Sequence, residues 1–301
     1  MQTLRTETAA GVRHIVLSRP EAYNTITPQL RDELAAAIDE ADADRAVRVI
    51  LLRAEGPAFC AGYGLDWSTR AQAGERAEVE PRAAVERPRP WAPGPEARDE
   101  RVWDSVADLR MIGSFVETYM KLWYARKPTL AAVQGWCIGG GTDMVLCADC
   151  IVAGEGATFG YPPSRVWGTP TTAMWVYRMG LEKAKRYLLT GDAIPAVEAA
   201  RIGLILEVVP DAELQARARA LAERMAMLPT TQLVMLKLLC NQTVENMGMA
   251  STRTLGTLFD GIARHTQEGL DFVQRAGEVG FREAVRERDD PFGDYGSRKK
   301  V

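Results

Sequence analysis

The stretch that decides the fold reads Thr129-Leu-Ala-Ala-Val-Gln-Gly135-Trp-Cys-Ile-Gly139-Gly-Gly-Thr-Asp143. Its apolar start is typical of a buried strand, and three consecutive glycines then open a helical pattern. Glycines at a helix start let backbone N–H groups approach an acceptor closely, with the helix dipole behind them. The stretch predicts a site for an anion or a developing oxyanion, although close packing of helix on strand would explain the glycines equally well.

Strand and helix patterns alternate on both sides of this stretch. Strand-length apolar runs at 12–17 and 47–52 flank a helix that begins at Thr27, with Pro28 in its first turn. From about residue 182 the pattern is mostly helical, apart from a predicted strand at 204–209. We therefore expect an α/β core over residues 1–203 and a mainly helical region over 204–301.

Residues 68–101 differ in composition from the rest of the core. They are rich in Arg and Glu and hold five prolines between Pro81 and Pro95, so a continuous helix is not expected there. A solvated surface insertion and a lid over a neighbouring site both fit this composition.

Composition and charge exclude several classes of function. The 301 residues include 37 basic and 40 acidic side chains, a net charge of −3, which argues against nucleic-acid binding. No run of 18 apolar residues and no secretory leader is present, so no membrane association and a cytoplasmic location are predicted.

The cysteines and histidines also limit the chemistry. Five cysteines without an export signal favour reduced thiols, and the Cys147-x-x-Cys150 pair lacks the local histidine ligands of a zinc site. No metal is expected. With two histidines in the chain and no G-x-S-x-G motif, we expect catalysis to rest on carboxylates and backbone amides.

A second glycine loop, Phe59-Cys-Ala-Gly-Tyr-Gly-Leu-Asp66, completes a recognisable pattern. Together with the triple glycine it resembles the crotonase family, the enoyl-CoA hydratases and isomerases. The resemblance covers nearly everything except residues 68–101. The motifs that carry it are, in chain order, Arg19–Asn24, Ala61–Tyr63, Lys127–Pro128, Ala132–Gly135, Gly139–Asp143, Ala148–Asp149, Ala157–Gly160, Thr190–Asp192, Ala199–Gly203 and Glu268–Gly269.

The resemblance implies a fold, a partner and a set of site residues. The fold would be a spiral of repeated ββα units with a helical C-terminal trimerisation region, forming a homotrimer or a dimer of trimers. The ligand would be an acyl-coenzyme A thioester, bound as substrate and with no further cofactor. Its carbonyl oxygen would be held by the backbone N–H groups of Tyr63 and Gly140. Further substrate-binding residues implied are Ala61, Gly62, Gly64, Leu65, Asp66, Tyr161 and Ser164.

The family's hydratases use two glutamates, and this chain departs from that pattern at both positions. Asp143 retains a carboxylate but is one methylene shorter, and Pro163 stands where the second glutamate is expected. Asp143 is therefore the candidate for a single acid and base, with a pKa raised by burial. A carboxylate that merely caps the first turn of the helix is the simpler alternative.

Several reactions remain open at this point. Enoyl-CoA hydration or double-bond isomerisation, as in fatty acid metabolism, is the leading prediction. Hydroxyacyl-CoA dehydration, C–C hydrolysis and a non-catalytic acyl-CoA-binding subunit are the alternatives.

Overall fold

The structure is a computed structural model that describes residues 1–64 and 103–295. The predicted insertion at 68–101 and the predicted site residues Leu65 and Asp66 lie outside these residues.

Ten strands form two sheets in the described ranges. They are β1 (Leu4–Ala9), β2 (Val12–Leu17), β3 (Val49–Ala54), β4 (Ala58–Cys60), β5 (Thr129–Val133), β6 (Trp136–Ile138), β7 (Cys150–Gly154), β8 (Thr158–Gly160), β9 (Ile194–Pro195) and β10 (Glu207–Val209). The larger sheet has the order β1-β2-β3-β5-β7-β10, and the smaller has the order β4-β6-β8-β9. In the larger sheet only β1 and β2 pair antiparallel.

The smaller sheet places the two glycine loops side by side. Strands β4 and β6 pair parallel, with Ala58 opposite Trp136 and Cys60 opposite Cys137. Parallel neighbours end at the same edge of a sheet. The loop after Cys60 and the loop after Ile138 therefore leave that edge next to each other.

Eleven α-helices surround the sheets in the described ranges. They are α1 (Pro28–Ala43), α2 (Ser105–Tyr124), α3 (Gly140–Val145), α4 (Met174–Met179), α5 (Leu181–Leu188), α6 (Ala196–Arg201), α7 (Leu214–Ala226), α8 (Thr230–Asn246), α9 (Met249–Arg264), α10 (Gln267–Val279) and α11 (Phe281–Asp289). Helix α1 begins as its sequence predicts, because the Thr27 side chain accepts a hydrogen bond from the N–H of Leu30.

The main core lies where α1, α2 and α3 pack on the sheets. Phe59, Phe115 and Val145 are fully buried in it, as are Leu34 and Ile38 of α1 to within one per cent. At about 1.5 to 3 kcal/mol for each large side chain, this burial is the main force that holds the elements together.

Two strands differ in extent from the sequence-based expectation. The strand expected at 204–209 is confined to Glu207–Val209, because Leu204 N–H turns back to the carbonyl of Ala199. The strand expected at 47–52 instead covers Val49–Ala54, since Val47 N–H bonds to Asp44 in a turn.

A buried ion pair ties helix α8 to the core. Lys237 Nζ lies 2.9 Å from Asp149 Oδ2 and also donates to the carbonyls of Leu122 and Lys127.

Among the described residues, no helix combines the length and the apolarity that a bilayer crossing needs.

Candidate active site

The two glycine loops are in direct contact. Gly62 has a φ of +92°, and a Cβ placed on it would lie 3.0 Å from the carbonyl oxygen of Ile138 and 3.7 Å from the nitrogen of Gly140. A side chain at Gly62 would be strained and would press on the second loop. Glycine is therefore required here for the loops to approach.

The contact leaves two backbone N–H groups without an acceptor. Ile26 N–H donates to Gly62 and Gly64 N–H donates to Ile26, both at 2.8 Å, so the intervening N–H of Tyr63 faces away from Ile26. Gly140 is the first residue of α3 and has no carbonyl one turn earlier in the helix to accept its N–H. Within residues 1–64 and 103–295, neither N–H donates a hydrogen bond.

Asp143 lies one turn into α3 and is completely buried. Thr171 Oγ1 donates to its Oδ2 at 2.9 Å, and Thr172 Oγ1 approaches its Oδ1 at 3.3 Å. No Lys or Arg pairs with the carboxylate among the described residues. Burial raises the pKa of Asp143 to about 7, although hydrogen bonds from Thr171 and Thr172 oppose the rise.

The loop that holds Asp143 is itself fixed by helix α9. Thr169 Oγ1 donates to the carbonyl of Gly256 at 3.0 Å, and Thr257 Oγ1 donates to the carbonyl of Thr171 at 3.3 Å. A Cβ on Gly256 would lie 2.6 Å from the carbonyl oxygen of Pro170. The C-terminal helices thus position the two threonines that contact the carboxylate.

An aromatic wall faces Gly140. The Tyr63 ring packs so closely that a Cβ on Gly140 would lie 2.7 Å from its Cε2 atom. The ring meets Phe115 edge to face at 5.4 Å, and its hydroxyl lies 3.2 Å from that of Tyr119. Burial, and secondly the charge of Asp143, raise the pKa of the Tyr63 phenol well above its ordinary value.

A second buried carboxylate, Asp260 of α9, was not anticipated from the sequence. Arg264 donates to it at 3.1 Å and to Asp108 at 2.9 Å. Burial raises the pKa of Asp260 while the Arg264 guanidinium opposes the rise, and the charge of Asp260 in turn raises the pKa of Asp143. The i, i+4 spacing of Asp260 and Arg264 was the available signal, but that spacing is common on exposed helices.

Pro163 borders both the glycine loop and this second carboxylate. A Cβ on Gly139 would lie 3.5 Å from Pro163 Cγ. A Cβ on Gly168 would lie 2.7 Å from Pro163 Cβ and 3.7 Å from Asp260 Oδ1. Pro163 thus lies beside the second glycine loop, and Gly168 lies close to both Pro163 and Asp260.

The neighbouring candidates take different directions. Tyr161 is buried beside the site, and its hydroxyl donates to the carbonyl of Thr169 at 2.7 Å. Ser164 Oγ donates to the carbonyl of Tyr161 at 2.9 Å, within a turn. Arg165 instead directs its guanidinium to Asp289 and Asp294 near the C-terminus.

The remaining candidates lie in the first glycine loop. Ala61 N–H donates to the carbonyl of Tyr23 at 3.1 Å, which anchors the loop before Gly62. A Cβ on Gly64 would lie 3.2 Å from the carbonyl of Ile26. The roles of all these residues stay predictions, as do those of Leu65 and Asp66.

Two other features bear on ligands. Across the described ranges, no group of three or more His, Cys, Asp or Glu side chains is arranged to hold a metal ion. An apolar cavity of about 440 Å³ lies beside Trp123, Leu233 and Cys240. Its lining includes neither glycine loop nor Asp143, so this cavity is separate from the candidate site.

Comparison with solved structures places the fold. The chain is similar to an enoyl-CoA hydratase from Mycobacterium smegmatis, with 41% identity and a TM-score of 0.85 over 100% of this chain and 98% of that one. It is also similar to an enoyl-CoA hydratase/isomerase from Xanthobacter autotrophicus Py2, with 26% identity and a TM-score of 0.82 over 97% and 99% of the two chains. The class of protein is therefore the crotonase-like α/β fold.

Sequence comparison gives the family. The sequence profile described as enoyl-CoA hydratase/isomerase matches residues 7–86 and 106–280. The chain is similar to EchA13 of Mycobacterium tuberculosis, a protein whose name describes it as an enoyl-CoA hydratase. The two are 32% identical over 250 residues, which cover 79% of this chain and 72% of EchA13. The chain belongs to the enoyl-CoA hydratase/isomerase family, and the resemblance drawn from its motifs is confirmed.

Proposed function

We propose that the protein processes acyl-CoA thioesters by enoyl-CoA hydration or double-bond isomerisation. The observation that carries the proposal is the pair of unpaired N–H groups, on Tyr63 and Gly140, with a buried carboxylate three residues further along α3. Coenzyme A enters as part of the substrate, and no separate cofactor is invoked.

The two N–H groups would hold the thioester oxygen. Proton removal at the α-carbon, or addition at the β-carbon, places negative charge on that oxygen. Two fixed donors in a water-poor site stabilise this charge, and one such donor is typically worth about 2.7 to 4 kcal/mol in comparable sites. Both donors belong to the backbone, so the loop conformation is what matters. This explains why glycine is needed at position 62.

Asp143 would move the proton. With a pKa of about 7, its carboxyl is present in both protonation states near neutral pH, which suits a general acid and base. In hydration it would take a proton from water as oxygen adds to the β-carbon, and return a proton to the α-carbon. In isomerisation it would carry a proton from the α-carbon to the γ-carbon. Either cycle regenerates the carboxylate and needs no second acid.

Pro163 favours a second candidate function, that of an acyl-CoA-binding subunit without catalytic activity. Proline carries no acid or base, and hydration has the greater need of a group that orients water. A non-catalytic acyl-CoA-binding subunit would bind thioesters at the same two N–H groups without consuming them. Hydroxyacyl-CoA dehydration and C–C hydrolysis are further reactions of the same bound intermediate.

The test is turnover of two substrate types by the wild type and by Asp143→Asn. Loss of enoyl absorbance of crotonyl-CoA and of a longer trans-2-enoyl-CoA reports hydration, and its gain from a 3-enoyl-CoA reports isomerisation. We expect Asp143→Asn to lower kcat by about a hundredfold to ten-thousandfold. Thioester binding without turnover in the wild type would favour the binding subunit.

A second pair of variants separates the donors from the turn beside them. Gly140→Pro removes one donor at the first position of α3 and should suppress turnover far more than Ser164→Ala, which removes a contact within the turn. Circular dichroism should confirm that both variants fold. Equal losses would contradict the assignment of Gly140.

We also propose a trimer or a dimer of trimers, as the resemblance implies. Support comes from helices α8 and α9, on which several large apolar side chains are exposed in the single chain. They are Met235, Leu236, Leu238, Leu239, Leu255, Leu258, Phe259 and Ile262. Sedimentation equilibrium measures the assembly directly.

A further inference from the structure

The hydroxyl groups of Tyr63 and Tyr119 carry two hydrogens, but only one of these hydrogens has an acceptor among the described residues. The hydroxyls of Tyr63 and Tyr119 lie 3.2 Å apart, so one of them donates to the other. A phenol carries a single hydrogen, and the receiving phenol must donate its own hydrogen elsewhere. Among residues 1–64 and 103–295, no acceptor receives it. This holds whichever of the two tyrosines is the donor.

The spare hydrogen lies in the part of the site that the acyl group would fill. Tyr63 is the residue whose N–H is proposed to hold the thioester oxygen, and its ring packs on Gly140, which carries the other N–H. The charge of Asp143 acts on both Tyr63 and Tyr119. The Tyr63 ring lies against Gly140, and the Tyr119 hydroxyl lies 3.2 Å from the Tyr63 hydroxyl, so both phenols lie near the N–H group of Gly140.

An apolar acyl chain would leave this hydrogen unsatisfied. In the structure Tyr119 donates to Tyr63, so the spare hydrogen is on Tyr63, which is partly exposed, and water can accept it in the free protein. A bound alkyl chain that displaced the water would offer no acceptor. A buried donor without an acceptor is costly, and a site built to bond an oxygen discriminates strongly against an analogue that lacks it.

The charges around the phenols decide what kind of oxygen fits. Asp143 has no cationic partner among the described residues, and Asp260 shares Arg264 with Asp108. Within residues 1–64 and 103–295, an acyl carboxylate here would meet two buried carboxyl groups, and the Arg264 guanidinium nearby is already paired with Asp260 and Asp108. A neutral oxygen, such as a hydroxyl or a ketone, avoids this repulsion and still accepts the phenolic hydrogen.

We propose that the Tyr63 and Tyr119 pair is a specificity site for a neutral oxygen, carried on the acyl chain of the thioester beyond its β-carbon. The proposal rests on the proposed function, since it assumes that an acyl-CoA occupies the loops. It names the substrate class as oxygenated, uncharged acyl-CoA thioesters. Plain alkyl and dicarboxylic acyl-CoA thioesters are the disfavoured classes.

Binding of saturated thioesters tests this without requiring turnover. Isothermal titration of the protein would compare butanoyl-CoA with 3-hydroxybutanoyl-CoA, 4-hydroxybutanoyl-CoA, 5-hydroxypentanoyl-CoA and succinyl-CoA, whose carboxylate lies at the same distance from the thioester as the hydroxyl of 4-hydroxybutanoyl-CoA. We expect a hydroxylated thioester to bind about tenfold more tightly than butanoyl-CoA, the effect of one hydrogen bond of about 1.4 kcal/mol. Succinyl-CoA should bind more weakly than the hydroxylated thioesters.

Three variants locate the preference. Each single variant, Tyr63→Phe or Tyr119→Phe, leaves one phenol with a hydrogen to donate and should keep part of the preference, whereas the double variant should bind butanoyl-CoA and the hydroxylated thioesters equally. Tyr187→Phe is the matched control, because the Tyr187 hydroxyl is engaged with Glu198 on the far helices α5 and α6. It should retain the wild-type preference.

Other outcomes separate the failure of this inference from failure of the proposed function. Equal binding of the alkyl and hydroxylated thioesters by the wild type overturns the inference alone. A preference confined to 3-hydroxybutanoyl-CoA also overturns it, because the phenols would then serve the oxygen that hydration itself adds. If no CoA thioester binds, the proposed function falls, and the inference falls with it.

Discussion

One short turn, Pro162–Arg165, contacts two different groups of side chains. The two groups differ in the partners of their carboxylates. We call them the acid pocket, made of Asp143, Asp260, Tyr63, Tyr119 and Tyr161, and the C-terminal clamp, made of Arg165, Arg288, Asp289, Phe292 and Asp294. Pro163 of the turn borders the acid pocket, whereas Arg165, two residues later, belongs to the clamp.

In the clamp each carboxylate has a guanidinium partner. Arg165 bonds to Asp289 at 2.9 Å and to Asp294 at 2.8 Å, and its guanidinium lies over the Phe292 ring at 3.8 Å. Arg288 bonds to Asp289 at 2.7 Å. In the acid pocket, Asp260 is paired with Arg264, whereas Asp143 receives only hydroxyl and amide donors among the described residues.

The difference separates stability from chemistry. Paired buried charges hold the C-terminal segment in place, and they gain nothing from changing their protonation. An unpaired buried carboxylate is held at a free-energy cost, which shows as a raised pKa and provides a proton-transfer group near neutral pH. Substitutions in the clamp should therefore lower stability, whereas substitutions of Asp143 should affect proton transfer and the pH dependence of stability.

The largest effect on stability is expected from breaking the clamp. Asp289→Ala leaves the buried guanidinium groups of Arg165 and Arg288 without their shared partner, since the Asp289 side chain is 2% exposed. Loss of one partner of a buried ion pair typically costs about 3 to 5 kcal/mol. Urea unfolding at neutral pH measures the change.

A surface ion pair provides the control for this variant. Asp32 is exposed and pairs with Arg31 at 2.7 Å, and such pairs contribute about 0 to 1 kcal/mol. Asp32→Ala should therefore change the free energy of unfolding little. If the two variants destabilised the protein equally, burial and pairing in the clamp would not be the source of its strength.

Removing the charge of Asp143 in the acid pocket should raise the free energy of unfolding, whereas removing that of Asp289 in the clamp lowers it. Because the folded-state pKa of Asp143 is raised to about 7 from an ordinary value of 3.8, the folded protein holds a proton in this interval that the unfolded chain releases. The contribution of Asp143 to stability is therefore present below pH 4 and is lost as the pH rises towards 7. Asp143→Asn removes this loss.

Relative to wild type, Asp143→Asn should thus gain stability between pH 5 and pH 8, by an amount on the order of a few kcal/mol. Urea unfolding at the two pH values measures the gain. Asp271→Asn, at an exposed position of α10, serves as the control for an Asp to Asn change. A gain that did not grow with pH would mean that Asp143 is not an unpaired buried acid.

The sequence predicted the parts of the site that depend on local order. Gly62, Gly140 and Asp143 each sit in a short motif whose spacing to a strand or helix is fixed along the chain, so their neighbourhood could be anticipated. The resemblance to the crotonase family was confirmed for the same reason, since its motifs keep their order. The starting point of helix α1 at Thr27 was likewise a local feature.

What could not be predicted depends on packing between distant segments. Asp260 lies 117 positions after Asp143, and only the docking of α9 on the loop at Thr169 and Thr171 brings it near. The Tyr63 and Tyr119 contact likewise joins a loop to a helix 56 residues away. Arg165 follows Pro163 by two residues, but its guanidinium reaches Asp289 and Asp294 of the clamp, a contact that depends on where the distant C-terminal segment packs.

The smallest effect is expected from Asp260, which acts on Asp143 through its charge. Asp260→Asn removes a negative charge that raises the pKa of Asp143, so that pKa should fall. If Asp143 acts as a base in its ionised form, the base becomes available at lower pH. The acidic limb of the profile of kcat/KM against pH should therefore move to lower pH, by about one pH unit or less at an effective dielectric typical of such sites. Asp271→Asn should leave the limb in place. A shift to higher pH would mean that the pKa of Asp143 rises instead, as it would if Arg264 left the pocket, and the charge of Asp260 would then not be what raises the pKa of Asp143.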